Sequence, residues 1–487
     1  MKKKLFLLLF FATTTFSCKD FLALAPEYQI SDQTFYKSQN DFTTALTGVY
    51  STFRGLFSSS AGVPFSSSAL LYMGELTTDN TEIQWSSPST DEMQMDQNAV
   101  TSTNAFVQSA WNTCLYTISR SNAILNRIDG VSFDQAAKDQ IKGEAKFLRA
   151  YAYFYLVQMF GNVPIITQTF SSPAQVSGAD LALKSRDEVY KVILADLTEA
   201  ETLLPATLNT DKTRASRITV KALLGKVHLT MKNYDLAATK LKEVIDGKSY
   251  SLVANYQTLF TNGNNNLAES IFEVEFVSGR SMGNNYSAIF TPAITSMAIF
   301  PSNLQGSGRI TPTLDLLNAY EAGDARKAVS VNDSVALIGG KKSYSRYGLK
   351  FVDFKAIDLS DGSITFTTLR YADVLLMYAE VLNEQGKAAD ALSYINQVRQ
   401  RAKLANLTGL TQAALRLAIE KERRVELLYE GQRWFDLVRT GRVQAVMNAH
   451  YASLKLTFKV DDFELIFPIP QNEVDLNPTL VKQNPGY

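Results

Sequence analysis

Trp85 is the residue whose setting most suggests ligand chemistry. It sits in a polar stretch between Gln84 and Ser86-Ser87-Pro88, where a large indole is costly to expose without use. A flat ring there suits the apolar C–H face of a pyranose, with nearby polar groups left for the hydroxyls. The other reading folds Trp85 back as a lid over the core, and the sequence leaves both open. Tyr72, Tyr286, Phe290, Tyr344 and Tyr347 are further candidate platforms of the same kind. Trp111 and Trp434 fall in helical patterns and are expected in the core. Catalytic signals are absent. His228 lies inside a helical run, and His450 has no Cys or His partner nearby. Without a His-Glu-x-x-His helix or paired Cys-x-x-Cys motifs, a zinc site is not expected. Gly306-Ser307-Gly308 and Gly339-Gly340-Lys341-Lys342-Ser343 fail the spacing of phosphate loops and read as turns. Asp461-Asp462-Glu464 offers carboxylates, but so do many of the 48 acidic residues, and surface acids are the plainer reading. A two-carboxylate glycosidase site is defined by tertiary geometry, which the sequence does not give. Neither Asn262–Asn266 nor Asp353–Asp361 has EF-hand spacing. No metal, no cofactor and no catalytic residue is expected.

The amino terminus carries a different chemistry. Lys2, Lys3 and Lys4 precede the apolar run 5–12 (LFLLLFFA), which leads through Thr13–Ser17 to Cys18. Eight apolar residues are too few to span a bilayer, so this reads as a secretory signal over residues 1–17. A Cys directly after a small residue at such a junction is similar to a bacterial lipoprotein box, which makes Cys18 the expected lipidation site. Several acyl chains would give stable anchoring. Cys114 is then the only other cysteine, and the mature chain can form no internal disulfide. Lys plus Arg and Asp plus Glu are both 48, so there is no basic field to collect nucleic acid. Hydrophobic content of 46% is that of a globular protein with a substantial core.

Helical elements must carry these residues. Residues 40–57 have helical spacing with Asn40 or Asp41 as cap; 104–128 and 139–160 follow, the latter stopped by Gly161, Asn162 and Pro164. Residues 58–68 and 77–103 read as loop. In 222–245 and in 375–398, small residues recur twelve apart, Gly225 with Ala237 and Ala379 with Ala391, and larger apolar residues follow each. That is tetratricopeptide-like helix-pair spacing, with turns at Lys232-Asn233-Tyr234 and Gln385-Gly386-Lys387. Further pairs are expected from Glu144–Phe160 with Arg186–Leu204 and from Thr411–Tyr429 with Gln432–Ala449. The expected division is a tether over 18–39, a helical scaffold within 40–249 and 368–450, a loop-rich insert over 250–367 with short β runs such as Ser270–Val277, and a C-terminal wrap over 451–487. The insert is where specificity is expected, because loops on a rigid scaffold usually carry binding.

Several blocks together resemble one family. They include CKDFLALAPE after the signal, FLRAYAYFYLVQMFGNVPIIT (147–167), TLRYADVLLMYAEVLN (368–383), IEKERRVELLYEGQRWFDLVRTG (419–441) and FPIPQNEVDLNPTLVKQNPGY (467–487). The chain is similar in these to the SusD/RagB surface lipoproteins, over nearly its whole mature length. The resemblance implies a mainly α fold, with four tetratricopeptide-like pairs in a right-handed superhelix and a loop-rich, small-sheet-containing ligand-binding insert. It implies non-catalytic binding of oligosaccharide or polysaccharide at the outer face of the outer membrane, and delivery to a SusC-like TonB-dependent barrel. Some relatives capture peptides, which is the alternative ligand. In the family, aromatics in the loop after a Gly-Glu…Asp segment contact glycan; here that segment is Gly74-Glu75…Asp79-Asn80, which puts Trp85 in that role.

Overall fold

The computed structural model describes residues 35–59, 64–84, 86–170, 172–207, 210–279, 282–293, 299–300, 304–336, 342–358 and 360–487. Cys18, the signal and Trp85 lie outside the described residues. Twelve helices of the described residues frame the fold: α1 (Gln39–Arg54), α2 (Thr90–Asp96), α3 (Ala105–Leu125), α4 (Gln135–Phe160), α5 (Arg186–Leu203), α6 (Arg217–Thr230), α7 (Tyr234–Asp246), α8 (Tyr371–Glu384), α9 (Ala388–Arg401), α10 (Gln412–Glu426), α11 (Arg433–Thr440) and α12 (Val443–Ser453).

The paired helices form as their small residues require. A Cβ built on Gly225 of α6 would sit 2.6 Å from the Leu241 side chain of α7, so only glycine allows these helices to approach this closely. Ala379 of α8 and Ala391 of α9 are fully buried at the equivalent crossing. The two turns use the same device. Lys232 and Gly386 each take a left-handed conformation (φ 60° and 76°). The next amide then donates back across the helix end, Asn233 to the His228 carbonyl and Lys387 to the Leu382 carbonyl, both at 2.8 Å. The pair α4 with α5 also forms, joined by Arg149, whose guanidinium donates twice to Asp196 at 2.7 Å.

Three local expectations are corrected. The cap of α1 is Ser38, with Asp41 as the reciprocal member of a capping box, rather than Asn40 or Asp41. The partner of α10 is broken into α11 and α12, because Gly441 takes a left-handed conformation (φ 69°) that ends the first. Within 77–103 the chain is not all loop, since it forms α2, capped by Ser89 and Glu92.

The sheets are small antiparallel pairs: Thr81–Glu82 with Thr311–Pro312, Val163–Pro164 with Leu183–Lys184, Ser270–Val274 with Phe366–Arg370, and Val331–Ala336 with Lys342–Gly348. A buried ion network ties the segments around them to α10 and the turn after it. Arg370 reaches Glu269, Glu426 and Glu430, while Lys350 donates to Glu430 at 2.6 Å. Such a network adds less net stability than its bond count suggests, but removing one member strands the others. Trp111 and Trp434 are core residues, as their helical settings predict. The C-terminal segment folds back onto α4: the Phe467 amide donates to the Met159 carbonyl, and the Asn484 amide to the Phe160 carbonyl.

Candidate functional site

A cleft of about 780 Å³ opens between the start of α3, the capped end of α2 and segment 304–309. Its floor is aromatic. Tyr72 and Phe106 stack with ring centroids 3.9 Å apart and planes 18° from parallel. Phe106 is fixed because Asn104 caps α3, accepting from the Phe106 amide at 3.0 Å while its own amide holds the Asp91 carbonyl and Gln94.

Glu92 is the hub of the polar side. It is almost fully buried. One carboxylate oxygen completes the α2 cap by accepting from the Ser89 amide at 2.8 Å. The other accepts from the Tyr72 hydroxyl and from the Arg309 guanidinium. Burial first, then the Glu92 charge, push the Tyr72 hydroxyl well up, so it stays a neutral donor. Burial works against the Arg309 charge, but the bond to Glu92, the Glu92 charge and Tyr72 together outweigh it and the guanidinium is raised. Arg309 is therefore a fixed, charge-compensated donor at the wall of the cleft.

A short ladder places Arg309. Thr81–Glu82 pairs with Thr311–Pro312, and the Gln84 amide extends it to the Gly308 carbonyl at 2.9 Å. Gly306 is required here, since any Cβ would lie 2.2 Å from the Thr291 carbonyl oxygen. The foot of the ladder is held by buried charge. Arg433 forks onto both Asp79 oxygens at 2.9 Å, and the Thr313 hydroxyl donates to the Asp79 carbonyl. Glu75 accepts from the Gly431 amide at 2.9 Å. The Gly-Glu…Asp segment and the block 419–441 are thus one buried junction at the foot of the ladder.

The remaining lining is mostly hydroxyl and amide: Ser59, Ser66, Ser67, Ser307, Asn285 and Gln305, with Asp358 and the exposed Ile357. Among the described residues, neither histidine lines it, and the lining holds no cysteine or lysine. Glu92 is committed to three partners and anchors the polar side of the cleft. Such a surface binds polyhydroxylated or amide-bearing chains by stacking and hydrogen bonding. No group of His, Cys, Asp and Glu among the described residues is arranged to hold a metal ion.

Of the residues expected from sequence that are described, the structure brings Tyr72 alone to the cleft. Tyr286 and Phe290 are corrected to core positions. Tyr286 is 0% exposed and donates to the Phe57 carbonyl at 2.9 Å, and Phe290 packs on Tyr429 at 4.4 Å. Their short helix turns Ala288 and Ile289 to the cleft instead. Tyr347 is buried in its hairpin, where its hydroxyl accepts from Asn332, and Tyr344 is 85% exposed on the same hairpin; neither lines the cleft. Phe106, Arg309 and Asn285 carry no local motif that marks them. The Ser89-to-Glu92 spacing, a capping-box signature, does mark Glu92.

The comparisons with known proteins agree with this architecture. A family described as starch-binding, associating with the outer membrane, matches residues 28–229. The SusD family matches residues 325–487. SusD-like protein P2 of Formosa agariphila is 26% identical over 518 residues, covering 100% of both chains. The starch-binding protein SusD of Bacteroides thetaiotaomicron is 24% identical, covering 76% of this chain and 77% of its own. Among solved structures, a laminarin-binding SusD-like protein superposes with a TM-score of 0.79 at 29% identity, covering 93% of this chain and 100% of that one. With helix pairs, small antiparallel sheets and both family segments in place, this chain belongs to the SusD/RagB family.

Proposed function

We propose that this protein binds glycan chains without modifying them, as a lipid-anchored subunit at the outer face of the outer membrane, and passes them to a SusC-like TonB-dependent barrel. The observation that carries the reading is the cleft itself: a stacked Tyr72–Phe106 floor under a wall of serine hydroxyls, amides and a charge-compensated arginine. Sugars need this pairing of a flat apolar surface with dense hydrogen bonding. The laminarin-binding relative supports the ligand class. Cys18 supports the anchor, and Cys18→Ala is expected to abolish incorporation of labelled palmitate; equal labelling of the variant refutes the anchor.

Native-gel retardation against a panel of neutral polysaccharides, laminarin and starch among them, followed by calorimetry with the derived oligosaccharides, tests the binding. Retardation by at least one polysaccharide and no new reducing ends are expected. Arg309→Ala should weaken binding at least several-fold. Trp85→Ala should cost roughly 1–3 kcal/mol of affinity. A protein retarded by no polysaccharide, but bound by peptides, overturns the glycan reading.

A further inference from the structure

The cleft does not end at Phe106. The face of α3 that begins there continues through Ser109, Thr113, Tyr116 and Arg120, residues three and four apart that share one side of the helix. From Phe106 to Tyr116 this face runs about 15 Å out of the cleft, at 1.5 Å per residue. On it lies Phe65, a large aromatic that is 49% exposed. Its chain neighbours Ser66 and Ser67 line the cleft.

Phe65 is held in place rather than left loose. Its backbone is in the left-handed region (φ 61°), which an aromatic residue adopts only under constraint. The constraint is visible. The Ser109 and Thr113 hydroxyls both donate to the Phe65 carbonyl, and the Ser67 hydroxyl donates to Ser109 at 2.6 Å. The ring stands edge-to-face with Tyr116, centroids 6.0 Å apart and planes at 89°. Tyr116 is itself clamped by Arg120, whose guanidinium lies 4.5 Å from the ring centroid and donates to its hydroxyl at 2.6 Å. A rigid, half-exposed aromatic beside the cleft mouth loses little entropy when a ligand covers it.

We propose that Phe65, backed by Tyr116, is a second sugar platform that receives the part of a glycan chain running out of the cleft along α3, so that affinity grows with chain length. This rests on the glycan-binding reading of the cleft and adds a subsite to it. The ligand is a linear oligosaccharide long enough to reach from Phe106 to Phe65, and a short one stays within the cleft.

The test is calorimetric titration of the whole mature protein with laminaritriose and laminarihexaose, or with the trisaccharide and hexasaccharide of whichever panel polysaccharide retards it. Wild type should bind the hexasaccharide more tightly than the trisaccharide. Phe65→Ala should lower hexasaccharide affinity by about three- to ten-fold, the loss of one stacked ring, and leave trisaccharide affinity unchanged. Phe65→Trp should restore the length dependence. Unchanged trisaccharide affinity also shows that the cleft of the variant is folded. A hexasaccharide-to-trisaccharide ratio that is the same in wild type and Phe65→Ala overturns the proposal, as does a wild type with no length dependence. Failure of wild type to bind any panel glycan overturns the reading beneath it instead.

Discussion

Asp79→Asn is the sharpest stability test of the junction at the foot of the ladder. Asp79 is buried, both its oxygens accept from Arg433, and Arg424 lies at 3.0 Å. Burial alone would raise its pKa; the two guanidinium groups reverse that and hold it at about 2, against an ordinary 3.8. At 1.36 kcal/mol per unit, the depression is worth about 2.4 kcal/mol at neutral pH. Stranding the buried Arg433 charge adds to this, so about 3 kcal/mol is expected for the substitution at pH 7. The sign follows from the lowered folded-state pKa. The contribution is fully present above the unfolded value and is lost as pH falls through the folded one. Roughly half should remain at pH 3. Urea unfolding of wild type and variant at pH 7 and pH 3, followed by tryptophan fluorescence, measures both differences. A gap below about 1 kcal/mol at pH 7, or one that does not shrink at pH 3, refutes the argument.

Other outcomes follow from single contacts. Phe106→Ala removes the ring stacked on Tyr72 and should weaken oligosaccharide binding by about 0.5–1.5 kcal/mol in calorimetry, with little change in melting temperature. Gly225→Val forces a side chain into Leu241 and should destabilise the α6–α7 pair by about 1–3 kcal/mol in urea unfolding; an unchanged midpoint would show that Leu241 moves aside freely. Cys114 is fully buried and burial pushes its thiol far up, so a thiol reagent should label the mature protein at that residue only after denaturation. Glu92→Gln keeps the shape of the hub but removes the charge facing Arg309, and should lower oligosaccharide affinity several-fold while α2 stays capped.

The helix pairs were legible because their signal is local and periodic. Gly225 and Ala379 sit at fixed distances from the residues they must clear, and that spacing survives in one dimension. The break between α11 and α12 shows the limit: Gly441 interrupts a pattern that is otherwise continuous in apolar residues. The cleft was less legible for a physical reason. Tyr72, Phe106 and Arg309 are far apart in the chain: Phe106 stacks on Tyr72 from the start of α3, and the ladder between 81–84 and 308–312 brings in Arg309. Tyr286 and Phe290 are of the same types as exposed platforms, and a single helical turn carries no periodicity to show which side faces inward. Ser89 and Glu92 carry a local capping-box signal for α2, but it lies in a stretch so rich in loop formers that 77–103 reads as loop.

A crystal structure of the mature protein with the hexasaccharide that binds it in calorimetry tests the central claim most directly. A sugar ring should lie over Phe106, with the Arg309 guanidinium and serine hydroxyls of the cleft at hydrogen-bond distance from its oxygens. A hexasaccharide seated elsewhere, with the cleft between Tyr72, Phe106 and Arg309 filled by water alone, would contradict it.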